Sequence, residues 1–313
     1  MSATVRPELR RFWRRRRDRP PAAPLHLMMV PAVVVVAIFA YLPMYGATMA
    51  FQYFDPALGL FGRQPWVGWD NFRYVFSLPN FGNVIFNTFV ISAWKIVLGL
   101  ALPVGVALLL NEMGNMPVKR TIQSVIYMPH FLSWVILGGI FLVILSPTGG
   151  LVNGVLEWLG IESIFFLGSN RWFRFTVITT HLWKEVGWGT IIYLAALTGI
   201  DENLYAAASI DGASRLQQTR YVTIPGISHV IVLLGVLSLG QALHAGFDQI
   251  FNLYSPVVYE TGDIISTFVY RVGILEFQYS VAAAVGLFQS VVSLVLISLS
   301  YWLAVRYADY RIF

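Results

Sequence analysis

The sequence predicts an all-α, polytopic membrane protein built around six spanning helices. Three observations carry this prediction: a composition that is 57% hydrophobic and 12% charged, six long apolar segments, and an uneven distribution of basic residues. A soluble domain of this length contains about 25% charged residues, so the low charge content and the mean hydropathy of +0.66 argue against one. The 15% aromatic content argues against a disordered chain.

Six segments meet the requirement of about 20 mostly apolar residues for a membrane-spanning helix. Because a lipid-embedded chain has to satisfy its backbone hydrogen bonds internally, each segment is expected to be helical. The predicted spans are, in order, Leu25–Phe51, Phe86–Leu110, Ile122–Leu145, Phe173–Leu197, Ile227–Leu243 and Ala282–Val305. They define a transmembrane domain at 25–305, with a basic tail at 1–24 and a short tail at 306–313.

The amino-terminal tail carries eight arginines before Pro20. Such a run is either a nucleic-acid-binding arm or a cytoplasmic flank, and the apolar segment directly after it favours the flank. That segment exceeds the roughly 7–15 residues of a signal-peptide core, so we expect it to remain uncleaved. With the tail inside, 14 Lys and Arg lie in inside segments, five lie outside, and Lys95 and Lys184 lie within spans. The sequence therefore predicts a multi-pass protein of the cell membrane with both termini in the cytoplasm.

Sequence motifs for catalysis are missing. The chain has no cysteine, none of its three lysines follows a glycine, and its five histidines are scattered. These facts exclude thiolate metal sites and a phosphate-binding loop with its Gly-Lys pair. His-Glu-x-x-His and Gly-x-Ser-x-Gly patterns are also absent. No catalytic residue, metal or cofactor is predicted on this chain, so ATP-driven transport would need an ATPase on another chain.

The predicted cytoplasmic loop at 199–225 carries the most informative local pattern. Asp201 is a favourable N-cap, which predicts a short helix running to Ile210. Asp211-Gly212 marks a turn, because glycine is free to adopt a positive φ. A second short helix then leads into span 5. Local spacing alone fits a partner-docking element and an ordinary amphipathic connector equally well.

A family resemblance favours docking. The segment Ala-Ala-x-x-Asp-Gly-Ala at 207–213, followed by Ile-Pro at 224–225, resembles the EAA motif of binding-protein-dependent ABC importer permeases. In that family this loop is the coupling helix that docks in a groove of the cytoplasmic ATPase. The motif's leading glutamate is Ala206 here, which removes a polar contact that the family can make. The resemblance implies a coupling surface formed by Tyr205, Ala206, Ala207, Ala208, Asp211, Gly212 and Ala213.

The resemblance extends over nearly the whole chain after the basic tail. Segments such as 127–135, 183–188 and 251–254 look like the LplB-type branch, whose members resemble MalF-like sugar permeases. Several of these serve the uptake of oligosaccharides or polysaccharide fragments. The resemblance implies the type I permease fold, with a second homologous permease in a heterodimer and two ATPase subunits that hold ATP and Mg. It also implies an extracellular solute-binding protein and a sugar substrate, with no nucleic-acid partner.

Polar residues inside the spans predict a substrate path. Ionisable groups in a membrane are costly and usually face a cavity or a partner. In span 4, His181, Glu185 and Trp188 share one helix face, and span 5 continues a similar spacing at its outer end. An alternative makes Lys184–Glu185 a structural ion pair, with the lysine bound to backbone carbonyls or a neighbouring helix; Lys95 is also read as structural. The path candidates are Glu185, Trp188, Gln241, His244, Asp248, Asn252 and Gln289.

Two long segments, Tyr53–Gly82 and Phe247–Ser280, are predicted to lie outside. The resemblance implies that the second contacts the docked binding protein through Tyr254, Tyr259 and Glu260. The alternative is a re-entrant element packed over the bundle, and we expect both roles in part.

Two other function classes have recognisable sequence signatures. A secondary transporter would often show internal repeats and an ion-coupling acid, and a membrane enzyme would need a clustered nucleophile or metal set. The sequence shows no clear example of either. It therefore predicts a permease subunit of an ATP-driven importer for oligosaccharides or polysaccharide fragments.

Overall fold

The computed structural model describes residues 22–240 and 242–307, and the regular elements in these ranges are all helices. Most of the predicted basic tail and of the carboxy-terminal tail lies outside the described residues. The helices are α1 (Ala22–Val36), α2 (Asp70–Ser77), α3 (Phe81–Asn111), α4 (Met116–Tyr127), α5 (Trp134–Ile144), α6 (Leu151–Trp158), α7 (Asn170–Leu197), α8 (Glu202–Ile210), α9 (Arg215–Gln218), α10 (Ile224–Gly240), α11 (Phe247–Leu253), α12 (Tyr259–Gly262), α13 (Ile265–Tyr270) and α14 (Tyr279–Tyr307).

Short turns of other helical geometry extend several of these helices. After α1 the chain continues as a π turn and a 3-10 helix to Phe51. A π turn joins α9 to α10, and a 3-10 turn at Ala242–His244 follows α10. The remaining turns are Pro56–Leu58, Met128–Phe131, Pro256–Val258 and Arg271–Leu275.

Four continuous helical stretches are long and apolar enough to cross a membrane: His26–Phe51, Phe81–Asn111, Arg215–Gly240 and Tyr279–Leu303. A fifth candidate is the bent pair formed by α4, with its 3-10 turn, and α5. The 28-residue α7 is about 42 Å long, but it carries Arg171, Arg174, Lys184 and Glu185, which lower its apolarity. All-helical architecture is confirmed, while the count of six spans stays a prediction.

The core centres on α3 and α7, which form the most extensive helix pair of the described chain. Near one end of this pair, Ile91, Phe173 and Val177 are fully buried against Ile250 and Ile264 of the segment after α10. A second cluster lies at the other end of the pair, where Ala107, Tyr193, Leu197 and Ile227 meet. The long helices α3 and α7 therefore pack against other segments near both of their ends.

The third predicted span is not one helix. It was expected at Ile122–Leu145, but the chain bends by 104° between Phe131 and Trp134. Pro129 lacks a backbone N–H, and it lies in a 3-10 turn that ends α4. Ser133 is extended, and its Oγ accepts a hydrogen bond from the Ile136 N–H at 3.3 Å, which caps α5. The proline and the new N-cap explain why the span breaks here.

The fifth predicted span ends earlier than expected. It was placed at Ile227–Leu243, with helical spacing carried on to Asp248, but α10 ends at Gly240. Ala245 and Gly246 have φ of 45° and 88°, which is left-handed backbone that no α-helix can continue. Residues 244 and 248 therefore do not share a continuous helix face.

Candidate transport site

A cavity of about 570 Å³ lies between α3, α7, α10 and the break after α10. Glu185 and Trp188 line it, as does His181, so the predicted helix face in span 4 does meet a cavity. Most of the wall is apolar. The polar side chains on it are Ser92, Lys95, His181, Glu185, Tyr193 and Ser238.

The other path candidates lie elsewhere or are not described. Gln241 lies outside the described residues, and the side chain of His244 is not described. Asp248 is exposed on α11, and the Asn252 side-chain amide donates to the Asp248 carbonyl at 2.7 Å. The Gln289 amide donates to the Leu243 carbonyl at 2.9 Å, so it satisfies a group freed by the break. The structure does not bring Asp248, Asn252 and Gln289 to the cavity wall with Glu185.

A polar cluster ties α7 to the bend in the third span. One Glu185 oxygen lies 2.8 Å from His130 Nδ1, and the other lies 3.3 Å from Lys184 Nζ. Lys184 Nζ also donates to the His130 carbonyl at 2.7 Å. The His130 ring stacks on Trp188 with centroids 4.5 Å apart. Lys184 thus has the backbone-bound geometry of the structural alternative, whereas the Glu185 side chain keeps 32% of its surface exposed at the cavity.

A second buried cluster holds the break after α10, and sequence reasoning missed one of its members. Lys95 Nζ on α3 donates to the Ala245 carbonyl at 2.7 Å and to Gln249 Oε1 at 2.6 Å. Gln249 is fully buried, and its amide nitrogen donates to the Val177 carbonyl and to Thr180 Oγ1. Non-helical backbone within a membrane is tolerated where other groups satisfy the hydrogen bonds that the helix no longer makes. Lys95 does this for the Ala245 carbonyl. The segment 247–253 contains three polar residues, Asp248, Gln249 and Asn252, and nothing in its sequence marks Gln249 as the buried one.

The segment at 247–280, which is predicted to lie outside, packs into the bundle. The Asn87 amide on α3 donates to the Glu260 and Asp263 carbonyls at 3.1 and 3.0 Å. Arg174 on α7 donates to Asn87 Oδ1 at 2.6 Å and to the Thr261 carbonyl. These bonds give the segment the packed geometry of the re-entrant alternative.

Asp263 is the buried charge of this segment. It pairs with Arg271 and accepts a 2.7 Å hydrogen bond from the Thr267 hydroxyl. Burial raises the pKa of the Asp263 carboxyl above its ordinary value of 3.8, and the hydrogen bond from Thr267 and the positive charge of Arg271 oppose that rise.

The residues predicted to touch a binding protein flank this network. The rings of Tyr254 and Tyr259 lie 5.1 Å apart, and the Arg271 guanidinium lies 4.9 Å from the Tyr259 centroid. Glu260 is exposed, and its carboxylate accepts a 3.0 Å hydrogen bond from Asn170. Of the three, Glu260 is the most accessible to a docked protein.

The loop at 199–225 has the predicted helix-turn-helix form. Asp201 Oδ1 accepts from the Asn203 N–H at 2.9 Å and caps α8. Gly212 has a φ of 77° at the predicted turn. No residue of α8 is buried, and Ala206 and Ala207 are exposed.

Three side-chain hydrogen bonds tie α8 and the turn after it to the helical stretch Arg215–Gly240, which leads into α10. The Tyr205 hydroxyl donates to Thr223 Oγ1 at 3.0 Å, so this side chain contacts its own chain. The Gln218 amide donates to Ser209 Oγ at 2.9 Å and to the Ala213 carbonyl at 3.2 Å. A force on α8 would therefore pass directly to α10.

Comparison with known proteins decides the family. Residues 96–309 match the model of the family described as "Binding-protein-dependent transport system inner membrane component". The chain belongs to this family. It is a membrane-embedded transport subunit, and in such importers the ATPase is a separate subunit. The ABC permease prediction is confirmed, and nothing in the match supports the two alternative classes.

Relatives and solved structures agree with the family match. The chain is 40% identical to the polygalacturonan/rhamnogalacturonan transport system permease protein YteP of Bacillus subtilis, with 92% of this chain and 90% of the relative covered. It is 38% identical to the protein LplB of the same organism, with 92% and 91% covered. A crystal structure of a bacterial ABC transporter for import of the acidic polysaccharide alginate contains a chain that is 37% identical. It has a TM-score of 0.85, with 95% of this chain and 99% of that chain covered. The ABC importer permease fold is thereby confirmed.

Proposed function

We propose that this permease imports oligosaccharides or polysaccharide fragments. The observation that carries the proposal is the likeness, over nearly the full chain, to a transporter of alginate. A related structure holds a periplasmic protein bound to an alginate pentasaccharide, and its matching chain has a TM-score of 0.84. The name of YteP supports the same substrate class.

The cavity suits part of a sugar path. Carbohydrate recognition combines an aromatic face with hydrogen-bonding groups. On α7, Trp188 supplies the aromatic face and Glu185 supplies a hydrogen-bond acceptor. Half of the path belongs to a second homologous permease in a heterodimer. We place Asp248, Asn252 and Gln289 nearer the outer end of the path, where the break after α10 lies.

Coupling to ATP hydrolysis is assigned to α8 and the turn after it. The exposed apolar side chains of Leu204 and Ile210, together with Ala206 and Ala207, form a surface that suits the groove of an ATPase. Two ATPase subunits, each holding ATP and Mg, would drive this chain and its partner. The loop 199–225 and both termini are then cytoplasmic, and Glu260 faces the solute-binding protein outside.

The mechanism follows from these placements. Loaded binding protein docks outside, ATP closes the ATPase dimer, and α8 moves with it. Because Tyr205 and Gln218 tie α8 and the turn after it to the helical stretch that leads into α10, the motion reaches α10 and the break that borders the cavity. Opening of the cavity to the outside then admits the sugar, and hydrolysis resets the bundle.

The test is substrate-stimulated ATPase activity of the complete complex in liposomes. Trp188→Ala removes the aromatic face of the cavity, and we expect stimulation by loaded binding protein to fall at least fivefold. Trp158→Ala is the matched control, because Trp158 is 84% exposed on α6 and does not line the cavity. Equal stimulation in both variants and the wild type would reject the proposed path.

A further inference from the structure

The cavity wall carries a buried positive charge without a counter-ion. Lys95 is 6% exposed, lines the cavity, and has no ion-pair partner within 22–240 and 242–307. Its two hydrogen bonds go to neutral oxygens at 2.7 and 2.6 Å, which are lengths typical of an ammonium donor. An ammonium has three N–H groups, so one is left over. Intramembrane charges are expensive, and an unpaired one points to a function.

The ammonium is held in place at the wall. Both N–H groups of the Gln249 amide donate to α7, to the Val177 carbonyl at 2.7 Å and to Thr180 Oγ1 at 2.8 Å. The amide oxygen must therefore face Lys95. On the other side, a Cβ at position 246 would lie 2.9 Å from Lys95 Nζ, so Gly246 leaves space for the charge. This geometry positions Nζ between the helix break and the cavity.

The carboxylate on the wall makes no direct ion pair with Lys95. Among the described residues that line the cavity, Glu185 is the one acid. Its oxygens contact Lys184 Nζ and His130 Nδ1. Two lysines, Lys95 and Lys184, therefore lie near a single carboxylate, and one positive charge is left without a counter-ion.

We infer that the cavity selects saccharides that carry carboxylates, with Lys95 as the counter-charge. The ligand class is a uronate oligosaccharide. This inference rests on the proposed function and makes it more specific, because a neutral oligosaccharide leaves the Lys95 charge unpaired. Lys95 thus has two roles, since it also binds the Ala245 carbonyl.

The test compares two ligands that differ only in charge. They are a galacturonate or mannuronate tetrasaccharide and the same tetrasaccharide with each carboxyl reduced to an alcohol. Equilibrium binding is measured on the complete permease–ATPase complex in nanodiscs, with the binding protein omitted so that its own selectivity does not contribute. We expect the wild type to bind the acidic ligand at least tenfold more tightly than the neutral one.

Lys95→Met removes the charge and keeps the length of the side chain, and the preference should fall below twofold through loss of acidic binding. Thr180→Val is the matched control, because it also removes a hydrogen bond from the buried cluster that holds the break after α10 but changes no charge. It should keep the tenfold preference. An equal loss of preference in both variants would mean that the break, not the charge, is responsible, and would overturn the inference.

The ratio of the two affinities of the wild type, for the acidic and for the neutral ligand, is measured without any variant. The inference can therefore be tested even if Lys95→Met fails to assemble. A ratio near one, with both ligands bound, overturns the inference and leaves the proposed function standing. Binding of neither ligand overturns the proposed function itself.

Discussion

Gly187 lies where α7 crosses α4, and an alanine there should separate the two helices. A Cβ at this position would lie 1.9 Å from the Ile126 carbonyl oxygen and 3.1 Å from Tyr127 Cα. Restoring ordinary contact requires a movement of about 1.5 Å, and backbone atoms cannot rotate away as a side chain can. Overpacking of this kind costs about 1–3 kcal/mol, here at the upper end. Replacing glycine with alanine inside a helix also raises the helix propensity, which stabilises the folded protein by up to about 1 kcal/mol.

The expected net destabilisation from Gly187→Ala is about 2 kcal/mol. At about 2–4 °C per kcal/mol this lowers the Tm by about 4–8 °C, measured on the assembled complex by thermal inactivation in detergent. Gly105→Ala is the control, since no atom within the described chain lies within 4 Å of its added Cβ. An unchanged Tm for Gly187→Ala, or an equal drop in the control, would refute the packing argument.

Three further predictions concern coupling, pH and topology. Tyr205→Phe removes the 3.0 Å bond to Thr223, and a loss of about 1 kcal/mol should lower sugar transported per ATP about fivefold with expression intact; unchanged stoichiometry would contradict this. Because burial raises the pKa of Asp263, the folded state holds its proton more tightly, so stability falls as pH rises from 3.8 through the raised pKa. The Tm of the wild type minus that of Asp263→Asn should therefore fall over that interval, and a rise would contradict the sign. The chain has no cysteine, so an impermeant maleimide should label Ser214→Cys only from the cytoplasm and Glu162→Cys only from outside; the reverse pattern would invert the topology.

Local patterns predicted the elements whose causes are local. Asp201 caps α8 because a carboxylate can accept from the N–H two residues on, and this needs no tertiary contact. Gly212 adopts the predicted positive φ for the same kind of reason. His181, Glu185 and Trp188 line the cavity because a helical period fixes which residues share a face.

Features that depend on distant partners were not predictable. The hydrogen bond from Lys95 to the Ala245 carbonyl joins residues that are 150 positions apart in the sequence. The sequence around one of them does not indicate that the other is its partner. Gly246 is one of 26 glycines, and composition does not show which of them ends a helix. The bend in the third span is an intermediate case, since Pro129 and Ser133 were visible but a proline near a helix end does not fix an angle.

The most direct test of the central claim is uptake of a labelled uronate tetrasaccharide into proteoliposomes that hold this chain, its partner permease and the ATPases. The account predicts uptake only with binding protein outside and ATP on the ATPase side, and uptake that persists when an ionophore collapses ion gradients. Uptake that continues without ATP, or that the ionophore abolishes while ATP remains, would contradict it.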